Sequence, residues 1–409
     1  MVDIDTVTDE GLHAFHEAMA TGFGHRISPE LTEQYRGVTD LSRAFVARDG
    51  GAVVGTTRSF ATEVTLPGGE LLPTAAVTGV TVMPTHRRRG VLSSLMRTQH
   101  DDLVARGEPL AVLIAAEAPI YGRFGYGPAT WHADVDVDRG RARFAQPGSD
   151  GHLRLAEPAE MLEIAPAVYE VFRRGQPGAI GRPDPLWRRR YGEFGDDDER
   201  KEAAERFHAV SHDDDGRPDG WVSYELRGDF EGMRPAKHVK VHELVATSAR
   251  ADAALWRYVI DMDWSVKVVA DARPVVEALP WLLVDRRQVK VVDVADFLWA
   301  RVLDVATVLA ARTYGATDSL VIEVVDRFLP DSGGRFALDA SPAGASCTRT
   351  ATRPDLTLDA RELGAACLGG TPLAPAAATG RIVEHRPGAL AAFDRLFVGP
   401  TPPWCHTWF

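Results

Sequence analysis

Residues 75–106 constrain this chain more than any other stretch. Ala75 to Met83 reads as a strand, Pro84 breaks it, and Arg87, Arg88 and Arg89 lead through Gly90 into a helical repeat of Leu92, Leu95, Met96 and Leu103. Proline stops the strand because it has no N–H for the ladder, and Gly107 and Pro109 stop the helix in turn. A helix N-terminus carries unpaired N–H groups and the positive end of the helix dipole. A glycine that admits close approach, with arginines beside it, makes that end a seat for a pyrophosphate. Leu110 to Ala115 follows as a continuous apolar run of strand length, the signature of a buried central strand. Strand, basic turn, helix and buried strand together demand an α/β unit.

The turn is not a phosphate loop of the Gly-Lys-Ser/Thr type, nor a Gly-x-Gly-x-x-Gly dinucleotide fingerprint. Its charge stands out because the chain as a whole is acidic, with a formal net charge of −12. A general nucleic-acid binder carries the opposite sign, since phosphate neutralisation dominates its affinity, so no nucleic-acid partner is expected. Apolar runs such as Leu110 to Ala116 fall far short of the roughly 20 residues of a membrane span. The start, Met1-Val2-Asp3-Ile4-Asp5, lacks a basic region and apolar core. Cys347, Cys367 and Cys405 are widely separated, which suits a reduced, cytoplasmic protein. No metal site is expected: Cys405-His406 stands without a second Cys/His group, and Asp196 to Glu199 and Asp213 to Gly216 read as solvated loops.

With 409 residues the chain exceeds one ordinary domain. The expected division is 1–146, 147–292 and 293–409, with a linker-like stretch from Gly140 to Gly151. The first part carries a helix with Leu12, Phe15 and Met19 on one face, and hairpin turns at Arg48-Asp49-Gly50-Gly51 and Leu66-Pro67-Gly68-Gly69. The second repeats that order of elements. A helix carrying Met161, Ile164 and Val168 precedes strands at Phe207 to Ser211 and Gly220 to Leu226, and Val239 to Ala246 precedes a helix with Ala254, Leu255, Tyr258 and Val259. Its turn, Thr247-Ser248-Ala249-Arg250-Ala251, has neither the glycine nor the arginine cluster, so the expectation is a duplicated fold that has lost its phosphate site. In the third part Phe297 to Val305 is predicted to run as an amphipathic helix to Arg312. Strands are predicted at Leu320 to Val325, Gly334 to Asp339 and Asp355 to Asp359, and helices about Ala360 to Leu368 and Leu390 to Phe397. The tail Pro402-Pro403-Trp404-Cys405-His406-Thr407-Trp408-Phe409 is apolar enough to be buried.

Arg87 and Gly90 resemble the acetyl-CoA motif of the GNAT acyltransferases, Arg/Gln-x-x-Gly-x-Gly/Ala, with Leu92 at the second small position. The resemblance implies acetyl-CoA as co-substrate. Val80, Thr81 and Val82 would meet its pantetheine arm through their backbone, and Arg87, Arg88, Arg89, Gly90, Val91, Leu92 and Ser93 would hold its pyrophosphate. Ala116 and Glu117 would lie beside it. Ile120-Tyr121-Gly122-Arg123-Phe124-Gly125-Tyr126-Gly127 resembles the family's tyrosine before Gly-Phe or Gly-Tyr, which implies Tyr121 as proton donor to the departing thiolate and Tyr126 as second candidate. A phenol with an ordinary pKa of about 10 is protonated at neutral pH and suits that task.

These motifs, with the Leu298-Trp299-Ala300-Arg301 segment and the aromatic terminus, are together similar to the Eis ("enhanced intracellular survival") family, aminoglycoside N-acetyltransferases of actinobacteria. The resemblance implies an α/β (α+β) protein with tandem GNAT-like domains of mixed sheets and a C-terminal sterol-carrier-protein-like α+β domain. It implies homohexamers and a small-molecule amine acceptor, an aminoglycoside or a lysine side chain. It also makes the Phe409 α-carboxylate the general base, its pKa raised by burial among Trp404, Trp408 and Phe409. Family members often have serine at Ala116 and an acid at Trp408. Here an indole at the penultimate position offers cation–π contact to an ammonium group. The alternative is a non-catalytic acetyl-CoA or lipid-sensing module.

Overall fold

A computed structural model describes residues 2–147 and 152–409, so the end of the linker stretch, Gly148 to Gly151, lies outside the described residues. The chain condenses into two units that are not contiguous in sequence. One comprises 1–130, 176–181 and 297–409, the other 131–175 and 182–296.

The first unit holds a seven-stranded sheet in the order Asp3–Thr6, Ala44–Asp49, Ala52–Thr65, Leu71–Val82, Leu110–Ile114, Leu298–Val302 and Gly127–Pro128. Its single parallel pairing joins Leu71–Val82 to Leu110–Ile114 by way of the helix Val91–Ala105, the crossover that parallel neighbours require. A five-stranded sheet in the same unit runs in the order Gly344–Arg349, Gly334–Ser341, Asp318–Val325, Leu356–Asp359 and Ile382–Glu384. One apolar core reaches from Val64 and Leu110 through Leu320 and Phe336 to Phe397.

The second unit repeats the plan. Its seven strands run Val289–Asp296, Trp131–Asp138, Ser265–Pro274, Lys237–Ala246, Pro218–Arg227, Phe207–His212 and His152–Ala156. The parallel pair is Lys237–Ala246 with Ser265–Pro274, bridged by the helix Ala249–Ile260. Trp256, Val222 and Leu255 centre the core beneath that helix.

Two expectations need correction. Leu298 to Val302 is a strand, not the start of a helix, and all five residues are buried. Leu298, Ala300 and Val302 face one core and Trp299 the other. A segment apolar on both sides gives no period that separates helix from strand. The helix begins only at Val305, where the Asp304 side chain caps Thr307 N–H. Asp196 to Glu199 is not a loop but a helix start, with Asp196 and Glu199 forming a reciprocal capping box.

The strand exchange this reveals is symmetrical. Leu298–Val302 follows the second unit in sequence yet lies in the first sheet, and Trp131–Asp138 leaves the first unit to lie in the second sheet. Each sits beside the second strand of its sheet's parallel pair, one strand from the edge.

Candidate active site

In the first unit the parallel strands part. Their pairing covers only Thr74–Ala76 against Leu110–Val112, although one strand continues to Val82 and the other to Ile114. Beyond Ala76 the facing edge of Val77 to Val82 is left open as a fork. The strand is also bulged there: its register with Ala52–Thr65 shifts between Thr56 and Arg58. Gly79 takes φ +62° with its carbonyl bonded to the Thr56 hydroxyl at 2.8 Å. A backbone edge with unspent N–H and C=O groups is what an amide-bearing arm such as pantetheine pairs with. Val80 and Val82 lie on this stretch, their side chains packed against the flanking apolar clusters. The Thr81 side chain is buried and faces helix residue Gly22, where a Cβ would lie 1.7 Å from its hydroxyl.

The open edge runs into the basic turn. Arg87 to Gly90 is exposed, and Val91 buries its side chain to start the helix. Arg88 and Gly90 take φ of +64° and +85°. Left-handed residues in such a turn make concave nests of N–H groups, and a non-glycine residue there carries backbone strain. Gly90 has no side chain to cap the helix, so its first N–H groups are left for a ligand. Arg89 leans on Asp49 at 4.0 Å, His86 pairs with the same carboxylate at 3.2 Å, and Arg88 makes no ion pair among the described residues. Ser93 is exposed on the first turn, and Leu92 packs inward.

Tyr121 ends a single helical turn, Ala118–Tyr121, that begins at Glu117. Ala116 and Glu117 are exposed, whereas the Tyr121 ring is buried among Val77, Met96, Leu113 and Trp299, with Val80, Leu92 and Ala115 at the margin. Burial, reinforced by the Glu117 charge, pushes its phenol up to about 12. Tyr126, the second candidate, is fully buried and spends its hydroxyl on His100 Nε2 at 3.0 Å.

The tail is extended and anchored. Trp404 N–H donates to Pro177 O at 2.8 Å and the Gln176 amide to Pro402 O at 2.9 Å. Residues 176–181 in turn bond to the strand that carries Val64 and Thr65. Gly178, at φ +84°, makes this approach possible, since a Cβ would lie 3.2 Å from Trp404 N. Trp404, Cys405 and Thr407 are buried, but Trp408 is 69% exposed against Phe297, so it does not enclose the terminus as expected. The Phe409 ring meets Phe60 edge-on at 5.5 Å. Phe409, Phe60 and Ile114 border the core on one face of the sheet, while Tyr121 belongs to the cluster on the other.

The family model for an acetyltransferase (GNAT) domain matches residues 3–129, a second such model residues 178–302, and a sterol carrier protein domain model residues 305–406. A Streptomyces griseus protein described as an uncharacterized N-acetyltransferase is 38% identical over 412 residues, 99% of each chain. The N-acetyltransferase Eis of Mycobacterium tuberculosis (strain H37Ra) is 35% identical over 400 residues, 94% of this chain and 93% of that one. The crystal structure of Eis1 from Mycobacterium abscessus superposes over all of both chains at TM-score 0.87 and 34% identity.

The chain belongs to the Eis family. It is an N-acetyltransferase of GNAT type, built from two GNAT domains and a sterol-carrier-type domain, and that membership implies acetyl-CoA and a small-molecule amine acceptor. Among the described residues no helix is long and apolar enough to cross a membrane, and no cluster of His, Cys, Asp or Glu could hold a metal.

The second GNAT domain differs at the corresponding turn. There the crossover helix is capped by Ser248, whose hydroxyl accepts from Ala251 N–H, and Asp219 fills the neighbouring space, bonded by Arg250 at 2.5 Å. A side-chain oxygen and a carboxylate stand where the first domain offers free N–H groups and arginines. Sequence reading found the missing turn. It missed the cap and the anchoring role of residues 176–181, whose only local sign is Pro177-Gly178.

Proposed function

We propose that the protein transfers acetyl from acetyl-CoA directly to a primary amine of a cationic, aminoglycoside-like molecule or a lysine side chain. The supporting observation is the fork: the pairing of the two strands stops at Ala76 and Val112, with the Tyr121 cluster on one face of the sheet and Phe409 on the other. The pantetheine arm enters along Val80 to Val82, and Arg87 to Ser93, with Ala116 and Glu117 opposite, hold the rest of the cofactor. The amine nitrogen attacks the thioester carbon and passes a proton to the Phe409 carboxylate, directly or through water. As the C–S bond breaks, Tyr121 donates its O–H to the departing sulfur. With that phenol at about 12 and a free thiol at about 8.5, full proton transfer is uphill, so the donated hydrogen bond matters most while charge develops on sulfur. Positioning of amine against thioester supplies much of the remaining rate.

The division into domains 1–146, 147–292 and 293–409, a homohexamer and a cytoplasmic location belong to the same proposal. The test follows free thiol in mixtures of acetyl-CoA with a panel of amines. Turnover that is lost in Tyr121→Phe, and in a chain extended by several residues beyond Phe409, supports the mechanism. Cofactor binding without turnover on any amine supports the non-catalytic module instead.

A further inference from the structure

The turn that carries Tyr121 is fastened from two sides by groups that nothing in the acetyl-transfer chemistry itself requires. Tyr121 leads through Gly122–Phe124 and Gly125, at φ +85°, to Tyr126, whose N–H donates to Tyr121 O at 3.3 Å. The two tyrosine rings meet edge-on with centroids 6.1 Å apart. Tyr126 is fully buried, and its hydroxyl shares a hydrogen bond of 3.0 Å with Nε2 of His100, on the same helix whose N-terminus forms the basic turn. His100 is kept neutral by its burial and, after that, by the nearby charges of Arg301 and Arg97.

On the other side lies Arg301, on the exchanged strand. Its guanidinium is completely buried, packs against Gly125 so closely that a Cβ there would lie 2.6 Å from Nη1, and pairs with Asp326. Asp326 also accepts from Phe328 N–H at 3.1 Å and Leu329 N–H at 2.8 Å. The loop so folded sets Phe328 edge-on against Phe124 at 4.9 Å and against His100 at 5.6 Å, under Arg97 at 4.2 Å. A buried ion pair adds little net stability over a well-packed apolar substitute. What it does add is a fixed geometry, and here that geometry converges on one turn.

We propose that Tyr126 is a positioning residue for Tyr121, clamped by His100 on the cofactor helix and by the pair of Arg301, on the exchanged strand, with Asp326 of the sterol-carrier-type domain. The sterol-carrier-type region thereby sets the aim of the phenol in the first domain through a loop quite separate from the C-terminal tail. The proposal rests on Tyr121 acting as donor to the sulfur, and the test separates the two ideas.

Tyr126→Phe keeps both rings and the ion pair and removes one hydroxyl. Its kcat is expected to fall about tenfold, with KM for acetyl-CoA within about twofold. In a Tyr121→Phe background the same change is expected to cost nothing further, because groups acting as a unit are not additive. Asp326→Asn is expected to reproduce the kcat-only loss. Should that variant fail to fold, the tyrosine pair still decides. An unchanged kcat in Tyr126→Phe, or equal losses in both backgrounds, overturns the positioning role while leaving Tyr121 in place. Full activity in Tyr121→Phe alone overturns the underlying mechanism instead.

Discussion

Arg273 donates from Nη1 to the backbone carbonyl of Leu244 at 2.9 Å, inside the fork of the second unit. There the parallel pairing ends at Val241 and Ala270, three residues short of each partner. Glu277 holds the same guanidinium at 3.0 Å, Trp256 lies under it at 5.1 Å, and Asp252 is half-buried nearby, its carboxyl pushed up to about 6 chiefly by desolvation. The fork that is open in the first GNAT domain is plugged in the second by the protein's own cation.

The chain is therefore expected to bind one acetyl-CoA, read as stoichiometry by calorimetric titration. Arg273→Met leaves the Glu277 carboxylate without its cation, and a loss of about 3–5 kcal/mol is expected from breaking such a pair. Denaturant unfolding measures it. KM for acetyl-CoA is expected to stay as it was.

Gly90→Ala isolates backbone geometry, because its Cβ would meet nothing within 4 Å. The φ of +85° alone then costs a side chain about 1 kcal/mol. Steady-state kinetics are expected to show KM for acetyl-CoA rising several-fold, since the altered turn no longer presents its N–H groups. Arg87→Ala raises the same KM with an unchanged melting temperature, as its side chain is exposed.

Tyr121→Phe is expected to lower kcat by about a hundredfold. Because burial raises this phenol from 10.0 to about 12, no alkaline loss of kcat below about pH 10 is expected to come from it. Its effect on folding has the same sign: the unfolded phenol loses its proton first. Stability present below pH 10 is then lost as pH rises toward 12. A pH–rate profile of both proteins checks the first point, and melting curves check the second.

His16 in the first unit and His208 in the second are held neutral, each lowered from 6.5 to about 4, mainly by burial. Unfolded chains take up protons at these positions first as pH falls, so stability declines from pH 6.5 down through 4. His208 adds a bond from Nδ1 to Ser223 Oγ at 2.9 Å, which an amide can replace. Melting temperatures of the wild type and His208→Asn are expected to be most alike near neutrality and to separate toward pH 4, where only the wild type has lost this contribution.

Much of the site was legible because its signals are local. Pro84 and Gly90 stop and start elements through their own covalent restrictions, and the apolar period of Leu92 to Leu103 follows from helix geometry alone. The same holds for the absent glycine at Thr247 to Ala251, which announces a lost anion seat from sequence spacing. From these residues alone come the α/β class, the duplication and the place of the basic turn between strand and helix.

What only tertiary structure decided is pairing across distance. Leu298 to Val302 carries no strand signal of its own; it is a strand because an open edge at Leu110–Ile114, far back in the chain, accepts its hydrogen bonds. Likewise nothing near Arg301 names Asp326, nothing near Arg273 names Leu244, and nothing in the tail names Pro177. A lone charge or N–H in sequence finds its partner only when burial withdraws water and makes an unpaired group costly.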